Sequence, residues 1–380
     1  MKIGLVSPYD FTWPGGVTVH ISQLAQRFSH LGHQVKILAP HSTSFVASEQ
    51  PDFVPLGRSV PVPSGGSIAR LTFSVWLQPK VRDILARERF DIVHLHEPLM
   101  PVLPLFVLQA AEAPKVGTFH AFFGRFRNYG WSHHVLRRWE RRLDARIAVS
   151  TAARQYASRF FPGDYHIIPN GIDVDHFSKA QMPIPELDDG KLNILFVGRL
   201  EKRKGLKYLL EAYGKVKWDF PNTRLLVVGP GNPDKDCYRI LSERGLQDVV
   251  FLGRVPYADL PRYYHSADIC CAPATGRESF GIVLLEAMAA AKPIVASRIE
   301  GYSGVLSHGE QGLAVPPKDS TALADALALL IRNPNLRSQL GARGRESADR
   351  YRWDRIAGEV IDFYKGVLGT SNGHAGQRAA

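Results

Sequence analysis

A chain of 380 residues is too long for one ordinary domain and suits two. With 45% hydrophobic and 22% charged residues it is globular rather than disordered, and no apolar run reaches membrane-spanning length: the richest, residues 98–113, is broken by Pro101 and Pro104. The net charge of +11 is uneven, with 19 Lys+Arg against 11 Asp+Glu in residues 1–170 and 28 against 25 in the remainder, an excess that attracts nucleic acid, anionic lipid or phosphorylated substrates.

The chain opens on a strand, residues 2–7, with no signal-peptide cleavage site after it, so a cytoplasmic location is expected. Strand and helix patterns then alternate, which is the mark of parallel α/β sheets. In the first half, strands are expected at 2–7, 34–39, 91–96, 116–119 and 145–149. A helix between the first two carries Ile21, Leu24, Ala25, Phe28 and Leu31 on one face and stops at Gly32. In the second half, strands are expected at 193–197, 224–228, 249–252, 269–272 and 293–296. The polar join, Pro169-Asn170-Gly171 and then residues 182–190, divides the chain into domains 1–170 and 171–352. A last helix, 353–368, has Ile356, Val360, Ile361, Tyr364 and Leu368 on one face, and 370–380 reads as a disordered tail. Cys237, Cys270 and Cys271 have neither a disulfide framework nor a zinc spacing, and the pair in the run 269–272 reads as buried thiols.

Three stretches carry chemistry. The first strand ends at Ser7-Pro8-Tyr9, and Gly15-Gly16 then leads into a helix, where backbone can approach an anion; a tight turn without a ligand fits equally well. Gly198-Arg199-Leu200-Glu201-Lys202-Arg203-Lys204-Gly205 follows a strand, where open α/β sheets bind ligands. Arg199 and Lys204 suit a diphosphate there, against the alternative of a solvated charged loop. The strongest element is Glu278-Ser279-Phe280-Gly281-Ile282-Val283-Leu284-Leu285-Glu286. Backbone N–H groups around Phe280, Gly281 and Ile282 make an anion-binding helix start, and the two carboxylates suit sugar and ribose hydroxyls.

These motifs, with His120 after a strand and Pro169-Asn170-Gly171-Ile172-Asp173, resemble the family 4 retaining glycosyltransferases over nearly the whole chain. The stretches Gly66-Ser67-Ile68-Ala69-Arg70-Leu71 and Leu95-His96-Glu97-Pro98 make it similar to the bacterial phosphatidylinositol mannosyltransferases. The resemblance implies the GT-B fold: two Rossmann-like domains facing a cleft, with the C-terminal helix crossing back to the first. It implies that Arg199 and Lys204 hold the donor diphosphate, Glu278 the transferred sugar and Glu286 the ribose. It further implies that Gly15 and Gly16 admit the phosphate, that backbone from Gly253 to Val255 meets the base, and that His120 touches the sugar. Tyr9, Ser67, Arg70 and Arg125 fall at the acceptor region. Transfer on one face of the sugar is implied, with GDP-mannose as donor substrate, no cofactor and no metal. The string Asp173-Val174-Asp175 belongs to the join, so Arg199 and Lys204 do a metal's work on the leaving diphosphate.

Two aromatic and basic segments point to an anionic membrane surface. One is 76–89, with Trp76, Leu77, Val81, Ile84 and Leu85 among Lys80, Arg82, Arg87 and Arg89. The other is 119–142, with Phe122, Phe123, Phe126, Tyr129, Trp131 and Trp139 among Arg125, Arg127, Arg137, Arg138, Arg141 and Arg142. A packed helix with a solvated basic face fits the same pattern; nucleic acid, which such patches also bind, is disfavoured by the donor motifs. The expected function is thus hexosyl transfer to a membrane lipid. The alternatives are a UDP-hexose enzyme with another glycolipid or exopolysaccharide acceptor, or a non-catalytic nucleotide-sugar or lipid-binding module on the same fold.

Overall fold

The computed structural model describes residues 1–13, 15–42, 52–64, 67–122, 130, 132–179 and 183–378. The chain divides into two compact units, Met1–Gly171 with Trp353–Ala380, and Ile172–Arg352. In chain order the first unit contains β1 (Lys2–Val6), α1 (Gly16–His30), β2 (Gln34–His41), β3 (Phe53–Arg58), β4 (Val60–Ser64), β5 (Ser67–Leu71), α2 (Leu77–Glu88) and β6 (Ile92–His96). It continues with α3 (Leu103–Ala110), β7 (Lys115–Phe119), α4 (Ser132–Glu140), β8 (Ala145–Ala148), α5 (Thr151–Ser158) and β9 (His166–Ile167). The second contains α6 (Val174–Ser178), β10 (Leu192–Val197), α7 (Leu206–Asp219), β11 (Thr223–Val228), α8 (Lys235–Glu243), β12 (Val249–Gly253), α9 (Leu260–Ser266) and β13 (Ile269–Ala272). It ends with α10 (Ile282–Ala289), β14 (Ile294–Ser297), β15 (Gly312–Val315), α11 (Ser320–Arg332) and α12 (Pro334–Ala348), and α13 (Trp353–Arg378) returns to the first unit.

Each unit is a doubly wound parallel sheet. The orders are β3-β2-β1-β6-β7-β8-β9 and β12-β11-β10-β13-β14-β15. In both, the order reverses beside the unit's first strand, and the loops leaving the carboxyl ends there open a crevice. The strands are apolar on both faces because helices cover both. In the second unit, Leu195, Leu226 and Cys270 enter one core while Ile194, Phe196, Leu225 and Cys271 enter the other. The adjacent cysteines thus serve opposite faces of β13, both buried.

Four differences from the sequence reading have physical causes. The strands β3, β4, β5, β9 and β15 were not expected: β3 and β4 contain prolines and lie at a sheet edge or in a separate hairpin, β9 has only two residues, and β15 begins on Gly312. Leu31 is exposed, because α1 ends at His30 and the helical period ends with it. On α13, Val367 rather than Leu368 is buried beside Ile356, Val360, Ile361 and Tyr364. That helix also runs to Arg378 where a disordered tail was expected; once nucleated on the core, each further residue adds a backbone bond.

The last helix is anchored by packing and by one polar contact. Its buried residues join Ile21, Leu24 and Phe28 of α1 in one cluster. Tyr364 is fully buried, and its hydroxyl lies 2.5 Å from His94 Nδ1, while His94 Nε2 meets Thr118 Oγ1 at 2.6 Å. Tyr364→Phe leaves a buried imidazole nitrogen without that partner, at a cost of about 1–3 kcal/mol. The expected outcome is a lower urea midpoint for the first unit with an unchanged denaturant slope; an unaltered midpoint would show that this contact contributes nothing.

Candidate active site

In the second unit the candidate residues converge where the strand order reverses. After β10 the chain turns through Lys202–Lys204 in one 3-10 turn, and Gly205 caps α7 with φ +78°. A Cβ at Gly205 would lie 1.9 Å from the Pro273 carbonyl oxygen, so only glycine lets this loop press against the end of β13. The Thr275 N–H donates to the Arg203 carbonyl at 2.8 Å and sews the two loops together. Across that seam Glu278 accepts from Lys204 Nζ at 2.7 Å and from Arg203, which also reaches Glu201 at 2.7 Å. A side chain at Gly301 would strike the Glu278 carbonyl at 1.7 Å, so Gly301 fixes the carboxylate's backbone from the other side.

Gly281 is the N-cap of α10, Ile282 its first residue, and Phe280 is buried just before it. One turn into the helix, Glu286 is buried and accepts from the Tyr264 hydroxyl at 2.7 Å. Burial pushes the Glu286 carboxyl up to about 7, against the opposing pull of the Tyr264 hydrogen bond and the Lys204 charge. Arg199 is half-exposed, with Glu201 3.9 Å away; Gly253, exposed, ends β12, and Val255 follows it half-buried. The two carboxylates of the join have structural work: Asp173 caps α6, and Asp175 pairs with Arg352 at 2.9 Å.

In the first unit Gly15 is the N-cap of α1, and no atom lies within 4 Å of a Cβ built at Gly16. Tyr9 bridges to Leu71, and Arg70 on β5 stacks on Trp13, its guanidinium carbon 3.9 Å from the ring centroid. Between them Asp10 is buried and accepts from Thr12 and Ser42, each at 2.6 Å, and from Ser59 at 2.5 Å. Ser67 begins β5. Arg125 lies outside the described residues, as do Phe123, Phe126, Arg127, Tyr129 and Trp131.

His120 leaves the end of β7 with its N–H donating to Glu97 Oε1 at 2.7 Å, and its Nε2 lies 3.0 Å from His96 Nδ1. Burial, aided by the charges of neighbouring imidazoles, holds His96 and His120 well below the ordinary histidine range, and burial holds His20 at about 4. These rings are neutral at physiological pH, so they offer hydrogen bonds rather than charge. Glu97 is itself pushed up to about 7 by burial, against the N–H groups it accepts.

The arrangement also contains residues that pattern reading passed over. Arg203 stood in a run of three cations, and only geometry singles it out as the second partner of Glu278. Tyr264 was unmarked, and His96 and Glu97 were noticed as a string without a role. Conversely, Leu77, Val81, Ile84 and Leu85 of α2 are core residues packed with Val6, Leu95 and Phe119, so the apolar face assigned above to a membrane is turned inward. Phe119 is likewise buried, and Trp139 packs against the same cluster.

The comparisons with known proteins agree with this architecture. The family description "Glycosyltransferase Family 4" matches residues 14–176, and "Glycosyl transferases group 1" matches residues 177–347. The phosphatidyl-myo-inositol mannosyltransferase of Mycobacterium leprae is 42% identical over 368 residues, covering 97% of each chain. That of Mycolicibacterium smegmatis is 39% identical over 371 residues, covering 97% of this chain and 95% of the relative. Among solved structures, sucrose-phosphate synthase from Thermosynechococcus elongatus has a TM-score of 0.77 at 22% identity, over 97% of this chain and 99% of that one. Anabaena Alr3699/HepE in complex with UDP-glucose also has a TM-score of 0.77, at 19% identity, over 96% and 100%. The fold is thus that of the GT-B enzymes, two Rossmann-like domains on one chain. The chain belongs to the family 4 glycosyltransferases.

The burial of Glu286 has a consequence for stability. Its carboxyl titrates near the ordinary 4.5 when unfolded and at about 7 when folded. Between those values the folded state holds a proton that the unfolded state has lost, so this group's contribution falls as pH rises through that window. Glu286→Gln removes the penalty. Relative to the parent, the variant should match it at low pH and gain on the order of 3 kcal/mol above about pH 7. Urea titrations across the window test this; parallel stability profiles would mean that Glu286 is not desolvated as described.

Proposed function

We propose that the chain is a retaining, metal-independent mannosyltransferase that moves mannose from GDP-mannose to the inositol ring of a phosphatidylinositol at an anionic membrane surface. The observation that carries this reading is Glu278 held by Lys204 and Arg203 at the strand ends, with Glu286 farther along the same segment. One carboxylate already bonded to cations has remaining lone pairs for sugar hydroxyls, and the cations beside it suit the diphosphate that the sugar leaves. The substrate named in the mycobacterial relatives, at 42% and 39% identity, supports mannose and the inositol lipid.

In this reading Arg199 and Lys204 neutralise charge developing on the leaving diphosphate, Glu286 takes the ribose hydroxyls, and the backbone from Gly253 to Val255 meets the base. The helix start at Phe280, Gly281 and Ile282 faces the anionic end of the donor. On the first unit Gly15 and Gly16 leave room for phosphate, and Tyr9, Ser67, Arg70 and Arg125 serve the acceptor. His120, kept neutral, orients a sugar hydroxyl without supplying a proton. The acceptor oxygen attacks the anomeric carbon on the face the diphosphate leaves, the carbon–oxygen bond to phosphate breaks, and the acceptor's proton passes to the departing phosphate oxygen.

The membrane face is carried by exposed side chains rather than by the apolar side of α2. Trp76 is 87% exposed and is flanked by exposed Phe73 and Val75, with Lys80 and Arg82 a turn farther on; Arg138, Arg141 and Arg142 are exposed at and beyond the end of α4. Such a mixture of aromatic and basic groups suits an anionic interface.

Arg199→Ala and Lys204→Ala should each lower kcat by about 10²–10³-fold, the usual cost of one lost contact to transition-state charge. EDTA should leave the parent rate unchanged. Near-parental turnover in either variant, or a requirement for added magnesium or manganese, would contradict the assignment.

Replacing Arg137, Arg138, Arg141 and Arg142 together with Gln should release the protein from anionic vesicles while donor hydrolysis persists. Each basic group near such a surface contributes roughly 1 kcal/mol, and salt screens it. Co-sedimentation at low salt measures this; equal binding to neutral and anionic vesicles would remove the membrane from the account.

A further inference from the structure

We propose that the imidazoles of His20, His96 and His120 form a binding site for a divalent cation of the zinc class, and that an ion seated there removes His120 from sugar transfer. The three residues come from three elements of the first unit. His20 lies on α1, His96 ends β6 and His120 follows β7. One ring nitrogen from each can be chosen so that all three lie within 4.8 Å of one another.

The spacing of one pair matches a metal site. Tetrahedral zinc with bonds of about 2.0–2.1 Å to nitrogen sets neighbouring ligands about 3.3 Å apart. His96 Nδ1 and His120 Nε2 stand 3.0 Å apart, so a few tenths of an ångström separate a shared hydrogen bond from a shared ion. The rings of His20 and His120 meet edge to face at a centroid distance of 4.9 Å. Among the described residues, His96 Nε2 and His20 Nδ1 are buried polar atoms with no hydrogen-bond partner. Unsatisfied polar atoms are costly, and His20 Nδ1 is one on a ring that meets both of the others; His96 Nε2 is the far nitrogen of a ring whose Nδ1 faces His120, so an ion held by that pair leaves it as it is. Each neutral ring carries one N–H and one lone pair, so each can bind a cation without losing a proton.

The donor set also selects the ion. Three imidazoles suit zinc, copper or nickel rather than magnesium or calcium, which favour oxygen. His94, its ring tilted against that of His96 with centroids 4.3 Å apart, has both ring nitrogens committed to Tyr364 and Thr118 and stays outside the set. Three histidines leave a fourth position for water. Binding depends on the first unit's residues alone; the inhibition rests on the reading of His120 at the reacting centre given above.

The test uses the full chain after dialysis against a chelator, with Co²⁺ as a spectroscopic stand-in for zinc. One equivalent should bind and give the visible ligand-field absorption of a four-coordinate, nitrogen-rich site. His96→Gln should weaken binding by more than about tenfold, and His20→Gln does the same should the first variant fail to fold. The double change of His133 and His134 to Ala, an imidazole pair on α4, should leave binding as it is. Absence of stoichiometric absorption, or absorption that survives both cluster variants, overturns the site. Zn²⁺ should then inhibit sugar transfer reversibly, with EDTA restoring the rate. A bound ion that leaves transfer unaltered overturns the inhibitory half. Because binding is read without donor or acceptor, a failure of the proposed transfer reaction would show separately, as absent turnover in the metal-free chain.

Discussion

The salt bridges from Glu278 to Lys204 and Arg203 join the loop after β10 to the loop after β13, across the point where the sheet reverses its strand order. Everything proposed for the second unit depends on that join. Parallel strands leave their carboxyl ends open by topology, but the loops there need a reason to hold one conformation. Here the reason is a carboxylate shielded from water between two cations, backed by close approaches at Gly205 and Gly301 that no larger residue permits. A cation already paired in this way is placed before a ligand arrives, which spares the reorganisation that a solvated lysine would undergo.

The first unit solves a different problem. Its β6 and β7, with α1, bury four histidines and a glutamate, and burial keeps the imidazoles neutral. A neutral His120 fits a positioning role beside a sugar and does not fit that of a general acid. Asp10, with Thr12, Ser42 and Ser59 around its carboxylate, ties together the turns after β1, β2 and β3. The loop carrying Tyr9, which bridges to Leu71 beside Arg70, thus stands on a hydrogen-bonded base.

Much of this was legible in the sequence because parallel strands buried on both faces read as short apolar runs. Ile194 to Val197, Leu225 to Val228 and the run containing Cys270 and Cys271 are of that kind, and the polar loops after them mark the strand ends. Edge strands were harder: Pro55, Pro61 and Pro63 broke the pattern that would have revealed β3 and β4. Amphipathic α2 was ambiguous in principle, since an apolar stripe beside basic residues has the same period whether it meets a core or a membrane. Arg203 was hidden among like neighbours, and the histidine cluster draws on positions 20, 96 and 120, whose proximity only the fold creates.

The proposed reaction is retaining mannosyl transfer from a guanosine diphosphate donor to an inositol lipid. Its most direct test is to incubate the pure protein with GDP-α-mannose and phosphatidylinositol, with UDP-glucose as the competing donor, and to read the product's anomeric configuration by NMR. A mannosylated lipid in the α configuration is expected, with no transfer from UDP-glucose. A β-linked product would contradict the front-face mechanism, and turnover confined to UDP-glucose would contradict the proposed donor.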